Sequence, residues 1–110
     1  MMRVLAMLLL VPGVVWAEVW RPLEGPEIAT ALSDRTVIYD NATQRFYASG
    51  RTLYDAGQES WGYWAVRGDQ YCSQWPPGDR WDCYDIAATE GRVRFIGQDG
   101  SVTEGAFAGE

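Results

Sequence analysis

Residues 61–87 read WGYWAVRGDQYCSQWPPGDRWDCYDIA, and this stretch decides the fold class. Short runs rich in aromatic and aliphatic residues alternate here with the turn-forming pairs Gly68-Asp69 and Pro77-Gly78. Aromatic side chains favour β-strands, whereas Gly, Pro and Asp favour tight turns. The stretch therefore predicts two consecutive β-hairpins. Their strands are residues 61–66, 70–75 and 81–87.

The strand-and-turn pattern continues on both sides of this stretch. Strand-like runs recur about every ten residues, separated by turn-forming pairs such as Asp40-Asn41, Ser49-Gly50 and Asp99-Gly100. This spacing is typical of an antiparallel meander. We predict an all-β domain of about seven or eight short strands, closed as a small barrel or folded as a sandwich. The flanking strands are residues 36–39, 44–48, 51–54, 92–96 and 101–107.

One short helix is predicted before the strands. Pro26 suits the first position of a helix, and Ile28 and Leu32 lie four residues apart on one apolar stripe. Ser33-Asp34 then ends the helix. The preceding residues, 18–24, are expected to pack loosely against the rest of the domain.

The only two cysteines of the chain, Cys72 and Cys83, lie on neighbouring predicted strands. If Pro77-Gly78 forms a two-residue turn, counting back along the hairpin places Cys72 directly opposite Cys83. Directly opposed residues have Cβ atoms about 4.5–5.5 Å apart, which a disulfide can bridge. We therefore predict a structural disulfide between them rather than a redox pair, because the CxxC spacing of redox cysteines is missing.

The first seventeen residues have the features of a secretory signal peptide. Arg3 supplies the positive start, residues 4–15 form an apolar run too short to span a membrane, and Ala17 suits the cleavage site. Residues 18–110 would then form a single exported domain, periplasmic or secreted. An oxidising compartment also agrees with the predicted disulfide.

The charge of the chain argues against two classes of partner. It contains nine Lys and Arg residues, all of them Arg, against fifteen acids and no His. Without Arg3 the exported domain has a net charge of 8 − 15 = −7. Nucleic acids and anionic membranes bind cationic surfaces, so we expect neither nucleic-acid binding nor membrane insertion after signal cleavage.

No catalytic signature is present in the sequence. The absence of His and Lys excludes imidazole-based triads and amine nucleophiles, and it removes the commonest ligand of zinc and copper. We therefore assign no catalytic residue, no metal site and no cofactor. Asp82 and Asp85 lie on one strand, but their spacing points them to opposite faces. Solvated edge charges explain these acids better than a glycosidase pair does.

Aromatic residues are concentrated in the strands of residues 61–87. Most of them must build the core, because residues 18–110 contain fourteen aromatics but only twelve Val, Leu and Ile residues. We predict that Trp64 is buried near the disulfide. An aromatic face left exposed would suit a sugar, a peptide or a protein. The candidate binding-surface residues are Trp61, Tyr63, Trp75, Trp81 and Tyr84.

Two stretches resemble small, uncharacterised exported proteins found in alphaproteobacteria. One begins at Leu23-x-Gly25-x-Glu27-Ile28 and the other is Gly62-x-Trp64-x-x-x-Gly68-Asp69-x-x-Cys72-x-x-Trp75, followed by Cys83-Tyr84. The resemblance implies an exported β-domain with a structural disulfide and no established activity. Such proteins sometimes carry a dihydrodipicolinate reductase label, which this short chain without a nucleotide-binding motif contradicts.

The leading functional hypothesis is a non-catalytic, monomeric exported domain that binds a protein or a cell-envelope ligand. One alternative is an inhibitor of a periplasmic or foreign hydrolase, which would use the 76–80 loop as a wedge. A second alternative is a carboxylate-based hydrolase. It would need two of five acids to converge in an aromatic-walled pocket. Those acids are Asp69, Asp79, Asp82, Asp85 and Glu90.

Overall fold

The computed structural model describes residues 18–109, so the predicted signal peptide and its cleavage site lie outside the described residues. Nine β-strands and one α-helix are present in this part of the chain. The helix α1 is Gly25–Leu32, and the strands are β1 Arg21–Pro22, β2 Arg35–Ile38, β3 Thr43–Phe46, β4 Arg51–Asp55, β5 Glu59–Arg67, β6 Gln70–Gln74, β7 Trp81–Thr89, β8 Arg92–Ile96 and β9 Val102–Phe107.

Strands β2 to β9 form a closed eight-stranded barrel. Each strand pairs antiparallel with the next along the chain, and β9 returns to β2, where Val37 is opposite Phe107. The predicted all-β meander is confirmed. The sequence left a barrel and a sandwich as alternatives, and the structure is a barrel. The short strand β1 adds to the outside of the closed ring by pairing with β7, Arg21 opposite Ala88.

The helix closes one end of the barrel. Glu24 and Glu27 form a capping box at its start, and Ile28 and Leu32 are completely buried in the core. The backbone N–H of Gly25 donates to Asp69 Oδ1 at 2.8 Å, which holds α1 against the β5–β6 turn. Within residues 18–109, no helix is long and apolar enough to cross a lipid bilayer.

The segment before the helix is mostly exposed, but two of its residues pack more closely than the sequence suggested. Leu23 is buried, and its backbone N–H donates to the carbonyl of Ile86 at 2.9 Å. The guanidinium of Arg94 lies over the ring of Trp20, 3.9 Å from the ring centroid. The two residues of β1 were too short a run to read as a strand, but pairing with β7 fixes them.

Aromatic rings form the centre of the core. The ring of Phe46 contacts those of Trp64, Tyr71 and Phe95 at centroid distances of 5.6–6.1 Å. Trp64 is 7 % exposed, as predicted, and its indole Nε1 donates to the carbonyl of Tyr47 at 2.8 Å. A buried Trp needs such a partner for its polar N–H.

The Cys72–Cys83 disulfide is present, and the two residues are directly opposed on β6 and β7 as predicted. The connection is longer than expected, because the last ladder pair is Gln74 with Trp81 and residues 75–80 form a loop. Since the number of loop residues stays even, the register is unchanged. The proximity of Trp64 to the disulfide was wrong: strand alternation points Trp64 into the barrel and the cysteines outward.

Candidate functional site

The end of the barrel opposite the helix contains an open cavity of about 650 Å³. Ligand pockets in proteins are typically about 300–1,000 Å³, so this cavity has room for a small organic molecule. Its walls come from the seven strands β3 to β9, from Tyr39 after β2 and from the 75–80 loop. The lining residues are Tyr39, Gln44, Tyr54, Ser60, Trp61, Tyr71, Ser73, Trp75, Pro76, Tyr84, Phe95 and Thr103.

Strand alternation explains why so many aromatic rings face the cavity. Tyr71 on β6 and Tyr84 on β7 are directly opposed, and their ring centroids are 5.9 Å apart. Successive side chains of a strand point to opposite faces, so the neighbours of Tyr71 point out while Ser73 points in again. The inward positions near the open end therefore carry aromatic rings with small polar residues between them.

Trp75 occupies a place that only a glycine leaves open. Its ring lies against Gly62, where an added Cβ would be 2.6 Å from Trp75 Cε3 and 2.7 Å from the carbonyl oxygen of Gln74. Gly62 therefore gives up its inward side-chain position on β5 to the ring of Trp75. The ring also makes an edge-to-face contact with Tyr54, at 6.2 Å between centroids.

A buried amide organises the polar groups at the floor of the cavity. Gln44 is 6 % exposed, and its Oε1 accepts a hydrogen bond from the Tyr39 hydroxyl at 2.8 Å. Its Nε2 donates to Thr52 Oγ1 at 3.0 Å and to the Tyr71 hydroxyl at 3.3 Å. The amide thus uses both donors and one acceptor, as a buried polar group requires.

A second set of polar groups lies beside Tyr71. Trp75 Nε1 donates to Ser73 Oγ at 3.2 Å. The Ser73 hydroxyl lowers the pKa of the Tyr71 phenol, against the larger effect of burial. Both Tyr71 and Ser73 are only 3 % exposed, so this pair of hydroxyls lies deep in the barrel rather than at its rim.

The lining of the cavity carries no charge. Among the described residues that line it, none carries a carboxylate, amine, guanidinium or imidazole. Burial raises the pKa of the Tyr71 hydroxyl to about 12, and it also raises the pKa values of Tyr39 and Tyr84. These phenols therefore stay protonated and neutral at physiological pH.

The structure divides the five candidate binding-surface residues between two faces of the sheet. Trp75 and Tyr84 are half-buried and line the cavity. Trp61 and Tyr63 lie on the outer face, each 43 % exposed, although Trp61 also reaches the rim of the cavity. Trp81 is also on the outer face. The five residues therefore do not form one platform.

The outer aromatic side chains of β5 and its neighbours are covered by arginines. Arg51 lies 4.6 Å from the ring centroid of Trp61 and 5.7 Å from that of Tyr63. Trp61 also stacks on Tyr47 at 5.9 Å. These contacts are cation–π and ring–ring pairs within the sheet surface, and they account for the exposed rings without a ligand.

Trp81 has a different role on the outer face. The guanidinium of Arg67 lies 4.3 Å from the ring centroid of Trp81. Arg67 and Trp81 lie on opposite sides of the line of paired residues that contains Cys72 and Cys83. The two side chains therefore meet above the Cys72–Cys83 bond. This cover explains why Cys72 is completely buried although it points away from the barrel interior.

Sequence reasoning missed the residues that form the floor and far wall of the cavity. Tyr39, Gln44, Tyr54 and Phe95 were assigned to strands but not to a site. The one available signal was Gln44, a polar residue that alternates in phase with the apolar Phe46 on β3. A polar residue on a core face indicates either a buried hydrogen-bond network or a site.

The five acids considered for a hydrolase do not meet. Asp69, Asp79, Asp82, Asp85 and Glu90 are all exposed, and none of them lines the cavity. These five acids therefore do not supply the convergent pair that a carboxylate-based mechanism requires. Within residues 18–109, no three His, Cys, Asp or Glu side chains group closely enough to hold a metal ion.

The comparisons with known proteins add no relative. No protein-family profile matches the chain, and neither a characterised protein nor a solved structure is significantly similar to it. The geometry of the cavity is therefore the best guide to the function of the protein.

Proposed function

We propose that this protein is a non-catalytic, exported binding domain whose barrel cavity takes a small, uncharged molecule of the cell envelope. The observation that carries the proposal is the charge-free, aromatic-lined cavity at the open end of a closed barrel. Eight-stranded barrels are just wide enough either to fill with side chains or to hold one small ligand. Here the helix end is filled and the opposite end is open.

The construction of the barrel supports binding rather than chemistry. Closure between β2 and β9, the disulfide on β6 and β7, and the helix at one end hold the cavity walls in place. A pre-formed site loses little conformational entropy when a ligand binds. General acid–base chemistry near neutral pH needs groups that titrate there, and the cavity lining contains none.

The lack of charge favours uncharged ligands over ions. An ion that enters the cavity would lose its hydration shell without gaining a counter-charge, which costs several kcal/mol. The predicted export and the resemblance to small exported proteins favour a ligand of the envelope over a cytoplasmic metabolite.

The proposal can be tested by titrating a library of small neutral compounds into the ¹⁵N-labelled exported domain. We expect the indole N–H signal of Trp75 to shift with a bound compound, while that of Trp81 on the outer face stays in place. Thr103→Trp should narrow the mouth and weaken binding at least tenfold. Thr43→Trp, at an exposed β3 position outside the cavity, is the matched control.

Failure of every neutral compound to shift the Trp75 signal would reject the proposal, as would equal binding by the Thr103→Trp variant and its control. Both substitutions are at exposed strand positions, so both proteins should fold. Circular dichroism and thermal melting of the two variants check that point before binding is compared.

One observation keeps the inhibitor alternative in view. Residues 76–80 are all exposed, yet the loop is held by hydrogen bonds from Gln74 Nε2 to the carbonyl of Asp79 and from the Gly78 N–H to the carbonyl of Trp75. A fixed, protruding loop suits insertion into an enzyme cleft. The parent protein should then inhibit a purified cell-wall hydrolase or protease, and the Arg80→Ala variant should inhibit that enzyme less. Absence of inhibition by the parent protein would exclude the alternative.

A further inference from the structure

We infer that the ligand of the cavity is a neutral saccharide, bound through its hydroxyl groups to the Tyr39–Gln44–Tyr71–Ser73 floor. This inference rests on the proposed function and deepens it. It follows from the directions of the buried hydrogen bonds, which determine which donors and acceptors remain for a ligand.

The direction of the hydrogen bonds around Gln44 is set by a backbone carbonyl. Thr52 is completely buried, and its Oγ1 lies 2.8 Å from the carbonyl oxygen of Arg45, which can only accept. Thr52 must therefore donate there and accept from the Gln44 amide nitrogen. This fixes the orientation of the amide, so Gln44 Oε1 faces Tyr39 and the Tyr39 hydroxyl must donate to it. The lone pairs of the Tyr39 oxygen remain as acceptors.

The Tyr71–Ser73 pair has one proton more than its neighbours can accept. Tyr71 accepts from Gln44 Nε2, and Ser73 accepts from the indole of Trp75, which can only donate. Each hydroxyl still has its own proton, and a hydrogen bond between the two oxygens would use only one of the two protons. Within residues 18–109, no further acceptor takes the second proton. This nearly inaccessible pair therefore donates into the cavity.

The floor thus offers a donor and an acceptor side by side. Tyr39 and Tyr71 hydrogen-bond the same Gln44 amide, at Oε1 and Nε2, so both phenol oxygens lie around one amide group. A hydroxyl group on a ligand can accept from Tyr71 or Ser73 and donate to Tyr39 at the same time. A ketone, an ether or a hydrocarbon satisfies only one of these groups or neither, and leaving a buried polar group unpaired costs affinity.

The walls above the floor suit a sugar ring. Tyr54, Trp75, Tyr84 and Phe95 present apolar ring surface, while Ser60 and Thr103 add hydroxyls closer to the mouth. A pyranose has apolar C–H faces and hydroxyls around its edge, which matches rings on the walls and polar groups between them. The neutral lining selects an uncharged sugar over an acidic or amino sugar.

The test uses calorimetric titration with D-glucose, N-acetyl-D-glucosamine and cellobiose as neutral probes, and D-glucuronate and D-glucosamine as charged probes of matching size. We expect at least one neutral sugar to bind and the charged sugars to bind at least tenfold more weakly. Tyr71→Phe, which removes only the buried hydroxyl, should weaken the neutral sugar about tenfold. Tyr63→Phe removes a hydroxyl from the outer face and should leave binding unchanged.

The inference is overturned if no neutral sugar binds, if the charged sugars bind equally well, or if Tyr71→Phe binds like the parent protein. A second probe separates this failure from failure of the proposed function. If the uncharged, hydroxyl-poor dye Nile red binds and shifts the Trp75 indole signal while the sugars do not, the saccharide assignment is wrong and the binding cavity stands. If neither binds, both proposals fall. Ser73→Ala provides a second variant should Tyr71→Phe prove unstable.

Discussion

At the scale of single residues, Gly62 and Trp64 show how two neighbours on one strand serve different purposes. Both positions face the interior of the barrel. Gly62 leaves room for Trp75 to line the cavity, whereas Trp64 fills the core below it and bonds the carbonyl of Tyr47. The boundary between the filled end and the open end of the barrel therefore lies between two inward positions of β5.

Gly62→Ala should damage the cavity more than the fold. The new methyl group would overlap the Trp75 ring and the Gln74 carbonyl, so the ring must move. Overpacking of this kind typically costs about 1–3 kcal/mol. We expect altered Trp75 fluorescence and loss of neutral-compound binding, with the barrel still folded by circular dichroism. Gly109→Ala, which has open space around it, is the control, and an unchanged Trp75 signal in Gly62→Ala would contradict the assignment.

Trp64→Ala should test the core directly. Truncating a buried Trp to Ala typically costs about 3–5 kcal/mol, a large share of the roughly 5–15 kcal/mol stability of a domain. We expect a strongly lowered Tm or an unfolded protein in urea titrations. Trp61→Ala removes a half-exposed ring of the same size and should cost much less. Equal melting temperatures for Trp64→Ala and the parent would show that Trp64 does not support the core.

At the scale of elements, the β6–β7 hairpin joins the disulfide, its outer cover and the cavity wall. Alternation places Cys72 and Cys83 on one face and Tyr71 and Tyr84 on the other. The same two strands therefore fix the barrel from outside and supply its aromatic wall inside. A loop with an odd number of residues would shift this pairing and separate the cysteines.

Removal of the disulfide in Cys72→Ala/Cys83→Ala should lower the free energy of unfolding by about 3 kcal/mol, the value for a loop of roughly twelve residues. Urea denaturation measures this difference. Mass spectrometry of the exported protein should find the Cys72–Cys83 linkage and a mature N-terminus at Glu18.

Arg67→Ala, which uncovers the disulfide, should speed the reduction of this bond by dithiothreitol, whereas Arg80→Ala should not. Equal reduction rates would show that Arg67 and Trp81 do not shield the bond.

At the scale of the whole molecule, the buried phenols make stability depend on alkaline pH. Burial raises the pKa of Tyr71 from its ordinary 10.0 to about 12, and that of Tyr39 is raised as well. Between pH 10 and about 12, the unfolded chain loses phenol protons that the folded chain keeps. Stability is therefore fully present below pH about 10 and falls as the pH rises toward about 12.

Urea midpoints measured at pH 7, 9, 10.5 and 11.5 should show a plateau followed by a fall above pH about 10. In Tyr71→Phe the fall should be smaller, because this variant lacks one of the phenols whose pKa is raised on folding. Tyr63→Phe, on the exposed face, should follow the parent curve. A parent midpoint that is flat up to pH 11.5 would contradict the burial of these hydroxyls.

The strands and the disulfide were predictable because they depend on local information. Alternation and turn residues define each strand within about ten residues, and the parity of one loop sets Cys72 opposite Cys83. The burial of Trp64 followed from the shortage of aliphatic residues. The strand β1 was missed because its pairing depends on β7, more than sixty residues away in sequence.

The cavity could not be predicted, because it exists only after the barrel closes. Tyr39 follows β2 and Gln44 belongs to β3, whereas Tyr71 and Phe95 come from β6 and β8, and each segment alone looks like core. A sandwich with the same inward residues would press its two faces together and leave no space. Composition and alternation determined the sheet, its disulfide and its inward face. Pairing of β2 with β9 decided that this face encloses a cavity, because closure brings residues distant in sequence around one space.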